Sequence, residues 1–270
     1  MSGIRAHMQK ELDILSSEAM PVFHFDLKCK GKFIRLVPLG DIHYGHRACM
    51  VDKVKKFIKY VAETPDTFTI LMGDLMENVL PDTTNVHRGS MWEQSIHPSE
   101  QYDGLVKMLK LLADKKKILF GLGGTHSIRS WYATEFDPEE QLAKDLGYQY
   151  AHLDGLAILK VGNFSYKVHA VHGTGSTGDP AAVLRKILSQ PKRIGEADIY
   201  LRGHHHSKVA ATDYRFSVAT GMAEKALYVG TGSFLGYTNT YAHRAGYSPA
   251  VPGAVKLKLY KEEKDIYVTV

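Results

Sequence analysis

Cysteine is nearly absent: Cys29 and Cys49 are the two in a chain of 270 residues. Two are too few for a disulfide framework, and they lack the paired spacing of a thiolate zinc site. That scarcity suits a reducing, cytoplasmic setting. No apolar run approaches the roughly 18 residues that a membrane-spanning helix needs, so no membrane partner is expected. The first twenty residues lack the apolar stretch of a signal peptide. They read as a polar, partly helical extension over 1–20, ahead of one domain over 21–270. No repeat, low-complexity segment or flexible linker divides that domain. At 44% hydrophobic the chain can bury one large core. Excess charge is modest too: a formal net +5 leans only mildly toward anionic partners. Lys53, Lys55, Lys56 and Lys59 fall on the solvated face of an expected helix, and Lys115, Lys116 and Lys117 close another. No strongly basic stripe or base-reading module is left, which argues against sequence-specific nucleic-acid recognition.

The periodicity predicts alternating strands and helices. Pro21–Leu39 alternates around KCKGK and reads as a hairpin, with Phe33–Leu39 as the first core strand. Val51–Glu63 has helical spacing, with Val54, Phe57, Ile58 and Val61 on one face. Strands are expected at Phe68–Met72 and Ile118–Phe120, with an amphipathic helix at Leu105–Ala113 between them. This alternation indicates an α/β fold with a parallel sheet. Further on come a helix from Pro138 to Leu146 and strands Leu156–Val161 and Phe164–Val171 around a Gly162–Asn163 turn. A helix Pro180–Leu188, a strand Ala197–Leu201 and a β-rich remainder follow. Leu80–Gln101 and Gly230–Pro252 read as long functional loops.

What the chain does have is histidine, fourteen in all, and its placement is ordered. Asp41 and His43 lie in LGDIHYG, Asp74 in LMGDLME, His126 in GGTHS, His172 in AVHG, and His204 and His206 in RGHHHS. Each group falls just past an expected strand, where ligands of open α/β sheets collect. The i,i+2 spacings of Asp41–His43 and His204–His206 put both side chains of each pair on one face of an extended segment. Carboxylate and imidazole donors without thiolate suit Mn, Zn, Fe or Ni. Any one of these residues alone reads more readily as a cap, a turn former or a satisfied polar group than as a ligand. The set of them, at five strand ends, does not.

The ordered blocks GDIH, GDLME, GTH, HG and GHHH resemble the calcineurin-like metallophosphoesterase superfamily, in its nuclease and phosphodiesterase branch with phage-type phosphoesterases. The likeness runs from Leu39 to Ser207. It implies a four-layer α/β/β/α sandwich carrying two divalent metal ions at the carboxyl edge of the central strands, with Mn the first expectation and Zn, Fe or Ni alternatives. By position, Asp41, His43 and His206 would hold one metal. Asp74 would bridge to a second, held by His172 and His204. His126 would be the catalytic acid, protonating the leaving oxygen as a hydroxide held between the metals attacks. The expected substrate is a phosphodiester of nucleic acid or nucleotides. The alternatives are a phosphomonoesterase or nucleotide-sugar hydrolase, and a metal-poor binding scaffold. Nothing in the sequence sets the oligomeric state.

Two departures stand out. Thr125 occupies the place where the family has an Asn that ligates the second metal, and Ser127 replaces the acid after the histidine. Glu77 and Asn78 replace the Asp and Arg of the protein-phosphatase branch, which argues against that branch. Of the other candidates, His46 lies on the loop after the first motif, where a contact with substrate is the lesser reading, His205 should point away from the metals, and His169 reads as core or as support to the site. His87 and His97 read as surface residues. Trp92, Trp131 and Tyr132 either stack on bases or pad loops against the core. Arg129 either reaches a phosphate or forms a surface ion pair. His243 and Arg244 lie in either a phosphate-facing loop or a structural turn. Gly230-Thr-Gly-Ser resembles a phosphate cradle but has no helix after it.

Overall fold

Burial alternates along strands that cover one face of the core and is continuous where a strand is covered on both, and this contrast sorts the strands into layers. The computed structural model describes residues 20–80, 91–176, 178–217 and 221–270. The extension expected over 1–20 therefore lies, except for Met20, outside the described residues, as does His87. Among the described residues two sheets face each other. One has the order β1 (Val22–Leu27), β6 (Asp154–Val161), β7 (Phe164–Val171), β8 (Ile199–Arg202), β10 (Ala223–Ser233) and β11 (Gly253–Ala254), with β9 (Lys208–Phe216) also paired to β10. The other runs β13 (Ile266–Thr269), β12 (Lys256–Tyr260), β2 (Phe33–Leu36), β3 (Thr67–Leu71), β4 (Ile118–Leu122) and β5 (Gln149–Ala151). Strand β4, ILFGL, is buried at every position, whereas β6 alternates, as expected for a central parallel strand against one half-exposed.

The inner faces of both sheets meet in one apolar core. Ile34, Leu36, Ile70, Phe120 and Leu257 come from one side and Leu159, Tyr166, Val168, Leu201 and Val229 from the other. Outside the second sheet lie helices α1 (Val51–Glu63), α2 (Pro98–Asp114), α3 (Ser127–Thr134) and α4 (Pro138–Leu146). Val54, Ile58, Leu105, Leu109 and Leu142 pack there on Leu39 and Leu71. Outside the first sheet, Val183 and Ile187 of α5 (Pro180–Leu188) pack on Tyr200 and Tyr228. Each such fully buried aliphatic stabilises the fold by about 1.5–3 kcal/mol. Short helices α6 (Pro191–Ile194) and α7 (Tyr241–Arg244) complete the chain. The result is the expected four-layer α/β/β/α sandwich. No helix among the described residues is long and apolar enough to cross a membrane.

Strands β2, β3, β4 and β5 run parallel, as do β7, β8 and β10. Their carboxyl ends therefore open on shared edges, where the loops converge. Four sequence expectations change. The hairpin across KCKGK does not form: β1 pairs in parallel with β6, and β2 joins the other sheet between β12 and β3. The first core strand ends at Leu36, although Val37 and Leu39 still donate to Phe68 and Ile70. Helix α2 starts at Pro98, inside the expected loop, because His97 caps it by accepting from Ser99 N and Pro98 suits the first turn. Gly230–Ser233 belongs to β10 and is no phosphate cradle.

Candidate metal centre

The loops after β2 and β3 run side by side: Asp41 N donates to Gly73 O at 2.9 Å and His43 N to Asp74 O at 3.0 Å. The loop after β4 joins them through Asp74, whose Oδ1 accepts from His126 N at 2.7 Å and Oδ2 from the Thr125 hydroxyl at 3.0 Å. From the other sheet, His204 N donates to both Asp41 oxygens, at 2.9 and 3.1 Å. Gly124 permits this crowding, since a Cβ there would lie 2.1 Å from Asp74 N and Oδ1.

The six expected ligands come together in two groups. Asp41, His43 and His206 offer donor atoms within 4.8 Å of one another, and so do Asp74, His172 and His204. Asp74 also falls within that reach of His43 and His126, which puts its carboxylate between the two groups. Five of the six ligands have left-handed backbone: φ is 48° at Asp41, 49° at His43 and at Asp74, 69° at His204 and 57° at His206. Among the described residues only ten non-glycine residues have positive φ, so half of them sit in this one site. Such strain costs on the order of 1–3 kcal/mol per residue and persists where surrounding structure enforces it.

The donor chemistry fits a pair of divalent cations. His172 Nδ1–H donates to Met72 O at 2.8 Å, which turns Nε2 toward Asp74 Oδ2 at 3.0 Å. His43 Nδ1 bonds Glu77 Oε2 at 3.0 Å, which frees Nε2. His43 Nε2 and His206 Nε2 face each other at 3.1 Å, with Asp41 Oδ1 3.4 Å from the latter. Two facing imidazole nitrogens can share one proton, whereas a cation satisfies both lone pairs. Burial, with His206 nearby, pushes His43 down to about 3, so it stays a neutral donor. Burial opposes charge on Asp74 and on His172 alike, yet their mutual attraction wins. It holds Asp74 well below the usual carboxylate range and lifts His172 to about 10. A cation bound there takes the place of that proton.

His126 lies at the mouth of the site. Its Nδ1–H donates to Glu77 O at 2.6 Å, and Arg129 donates to its Nε2 at 3.1 Å and to Glu77 O at 3.0 Å. Burial lowers His126 to about 4, so the ring is neutral, with Nε2 accepting from Arg129 and lying 3.9 Å from Asp74 Oδ2. Arg129 thus forms no surface ion pair. The Thr125 hydroxyl stands at the second group, 3.5 Å from His204 Nδ1.

Sequence reasoning missed two supports. Glu77, noted there only as a departure, is buried and orients His43; its spacing three residues past Asp74 was the available signal. Glu139, in the first turn of α4, is buried and accepts from Leu75 N at 2.7 Å and Gly124 N at 2.6 Å, tying two motif loops together. Burial and Asp74 raise it to about 8.

A cavity of about 300 Å³ opens over the centre. His43, Asp74, His126, His204 and His206 form one wall, and Leu235, Tyr237 and Tyr247 belong to the other. His46 and His205 line it too, so His205 does not simply point away. Both His46 nitrogens are engaged, Nδ1 by Ala48 N and Nε2 by Glu93. Arg244 also pairs with Glu93, and His243 Nδ1 accepts from Asn239 N. These two therefore belong to a structural turn that holds the cavity wall. His169 is buried against Gln190, and His97 caps α2. Trp92, Trp131 and Tyr132 are exposed and do not pad the core.

No protein-family model matches the chain, and no curated protein does. Among solved structures it is similar to Vacuolar Protein Sorting 29 from Cryptosporidium parvum, at 14% identity and a TM-score of 0.45, over 88% of this chain and 98% of that one. It is also similar to Chaetomium thermophilum Vps29 complexed with a RaPID-derived cyclic peptide, at 14% identity and a TM-score of 0.39, over 88% and 96%. The architecture assigned above rests on the strand order and layer packing of this chain.

Proposed function

We propose that the protein is a dinuclear metal-dependent phosphoesterase of the calcineurin-like type that hydrolyses phosphodiester bonds of nucleic acid or nucleotides. The supporting observation is the convergence of two three-donor groups around Asp74, with five of the six ligands on backbone held at positive φ. Asp41, His43 and His206 would hold one cation, His172 and His204 the other, with Asp74 between them and Thr125 Oγ beside the second. Two divalent cations bound there supply charge to neutralise the phosphate and to acidify water, with Mn the first choice. His126 is the proton-transfer group. Its Nδ1–H is committed to Glu77 O, so Nε2 is the nitrogen that would take the proton released by the attacking water and pass it to the leaving oxygen. Arg129, already on that nitrogen, is placed to follow a substrate phosphate and release it.

The test is a panel with added Mn: p-nitrophenyl phosphate, bis-p-nitrophenyl phosphate, cyclic nucleotides, and single- and double-stranded DNA. The expected result is preference for diesters, with His126→Ala losing about 10²–10⁴-fold in turnover while keeping its metals. Preference for the monoester would favour a phosphomonoesterase. No turnover on any substrate, with metals bound, would favour a binding scaffold.

A further inference from the structure

Arg202 and Lys186 lie beside the loop that leaves His172, and the chemistry above uses neither. Arg202 ends β8 and shares the sheet face of Tyr200, the face covered by α5, which carries Lys186. A Cβ on Gly173 would lie 2.8 Å from the Arg202 guanidinium carbon, and one on Gly175 3.3 Å from Lys186 Nζ. Both glycines are left-handed, with φ of 95° and 79°, so only glycine sits there without strain.

Neither cation has an ion-pair partner among the described residues, and the neighbouring acids are taken: Asp154 pairs with Arg193, and Asp179 with Arg185 at 3.6 Å. Arg202 Nε is shielded from solvent and has no hydrogen-bond partner. His205, only 9% exposed and lining the cavity, leaves Nε2 unpartnered as well. Half-burying unpaired cations costs free energy that an anion would offset.

We infer that Arg202, Lys186 and the Gly173–Ser176 loop form a subsite for a second phosphate, distinct from the one hydrolysed. Strand register places it beside the metal centre. Val171 pairs with Arg202, so His172–Gly173 and Gly203–His204 leave the sheet together. Gly175, Ser176 and His205 line the same cavity as the metal ligands. The substrate class is a phosphodiester that carries another phosphate, such as a dinucleotide with a terminal phosphate. This rests on the metal-centre reading and narrows it.

The probe is inorganic phosphate, titrated calorimetrically into the full chain after EDTA treatment, so that no metal competes for it. Wild type should bind. Lys186→Gln and Arg202→Gln should each bind about tenfold more weakly, the size of one charge-assisted hydrogen bond. Lys186 is half-exposed, so its variant folds even if the Arg202 change does not. With Mn restored, the KM advantage of a dinucleotide with a terminal phosphate over one without should shrink about tenfold in each variant. Absence of phosphate binding in the wild type, or unchanged affinity in both variants, overturns the subsite. A chain that binds phosphate in this residue-dependent way yet takes up no Mn keeps the subsite and rejects the metal centre.

Discussion

Replacing Glu77 with Gln tests whether the two ligand groups are separate sites. Glu77 Oε2 lies 3.0 Å from His43 Nδ1, and both side chains are about 95% buried. The amide keeps an oxygen at that place and removes the charge. A hydrogen bond to a charged group contributes about 1.5–3 kcal/mol, against about 0.5–1.5 for a neutral one. The loss is therefore on the order of 1.4 kcal/mol, or tenfold in affinity. That falls at the low end of the 10–100-fold typical for partners that orient metal-bound histidines. The loss should fall mainly on the Asp41, His43 and His206 site, because Glu77 bonds neither His172 nor His204. The other site should weaken less, since Glu77 reaches it only through the shared Asp74. Calorimetric Mn titration resolves the two steps. Equal weakening of both steps, or of neither, would refute the assignment of Glu77 to His43.

Thr125→Asn should tighten the second Mn step, since a longer amide oxygen reaches past the hydroxyl that now lies 3.5 Å from His204 Nδ1; an unchanged or weaker step would contradict this. Gly124→Ala should lower stability by about 1–3 kcal/mol and release metal, because the new Cβ meets the Asp74 backbone at 2.1 Å; a wild-type Tm and metal content would count against the packing. The EDTA-treated chain should melt highest near pH 6.5, the unfolded value of histidine. Burial holds His43 and His205 down to about 3 and His126 and His169 down to about 4. Below pH 6.5 the unfolded chain gains those protons first, so stability falls toward pH 3. His172, lifted to about 10 by Asp74 against burial, contributes stability that is complete below 6.5 and lost as pH rises through 10. Glu139, raised to about 8, adds stability below about 4.5 that is lost by pH 8, one group against four on the acid side. A Tm rising steadily from pH 6.5 to 10 in calorimetric scans would contradict these environments.

The ligand blocks were legible because each sets Asp or His beside a glycine at a strand end, a constraint that local sequence records. Their backbone strain was not legible, since φ is set by the hydrogen bonds that tie the loops of Asp41, Asp74 and His204 together. The hairpin expectation failed because neighbouring strands pair by default; β1 instead finds β6 more than 120 positions later, with Val22 opposite Leu156. Only tertiary contact decides that. Glu139 stayed hidden for the opposite reason: an acid in the first turn of a helix is ordinary, and its burial under two backbone amides comes from loops distant in sequence. Gly230-Thr-Gly-Ser misled because glycine serves close strand packing as readily as a phosphate turn.

The most direct test of the central claim is electron paramagnetic resonance of the Mn-loaded chain, with metal content measured on the same sample. Two Mn per chain with an exchange-coupled spectrum, lost in Asp74→Asn, is the predicted result. No tightly held Mn, or isolated ions whose spectrum ignores Asp74, would contradict a shared carboxylate between two cations.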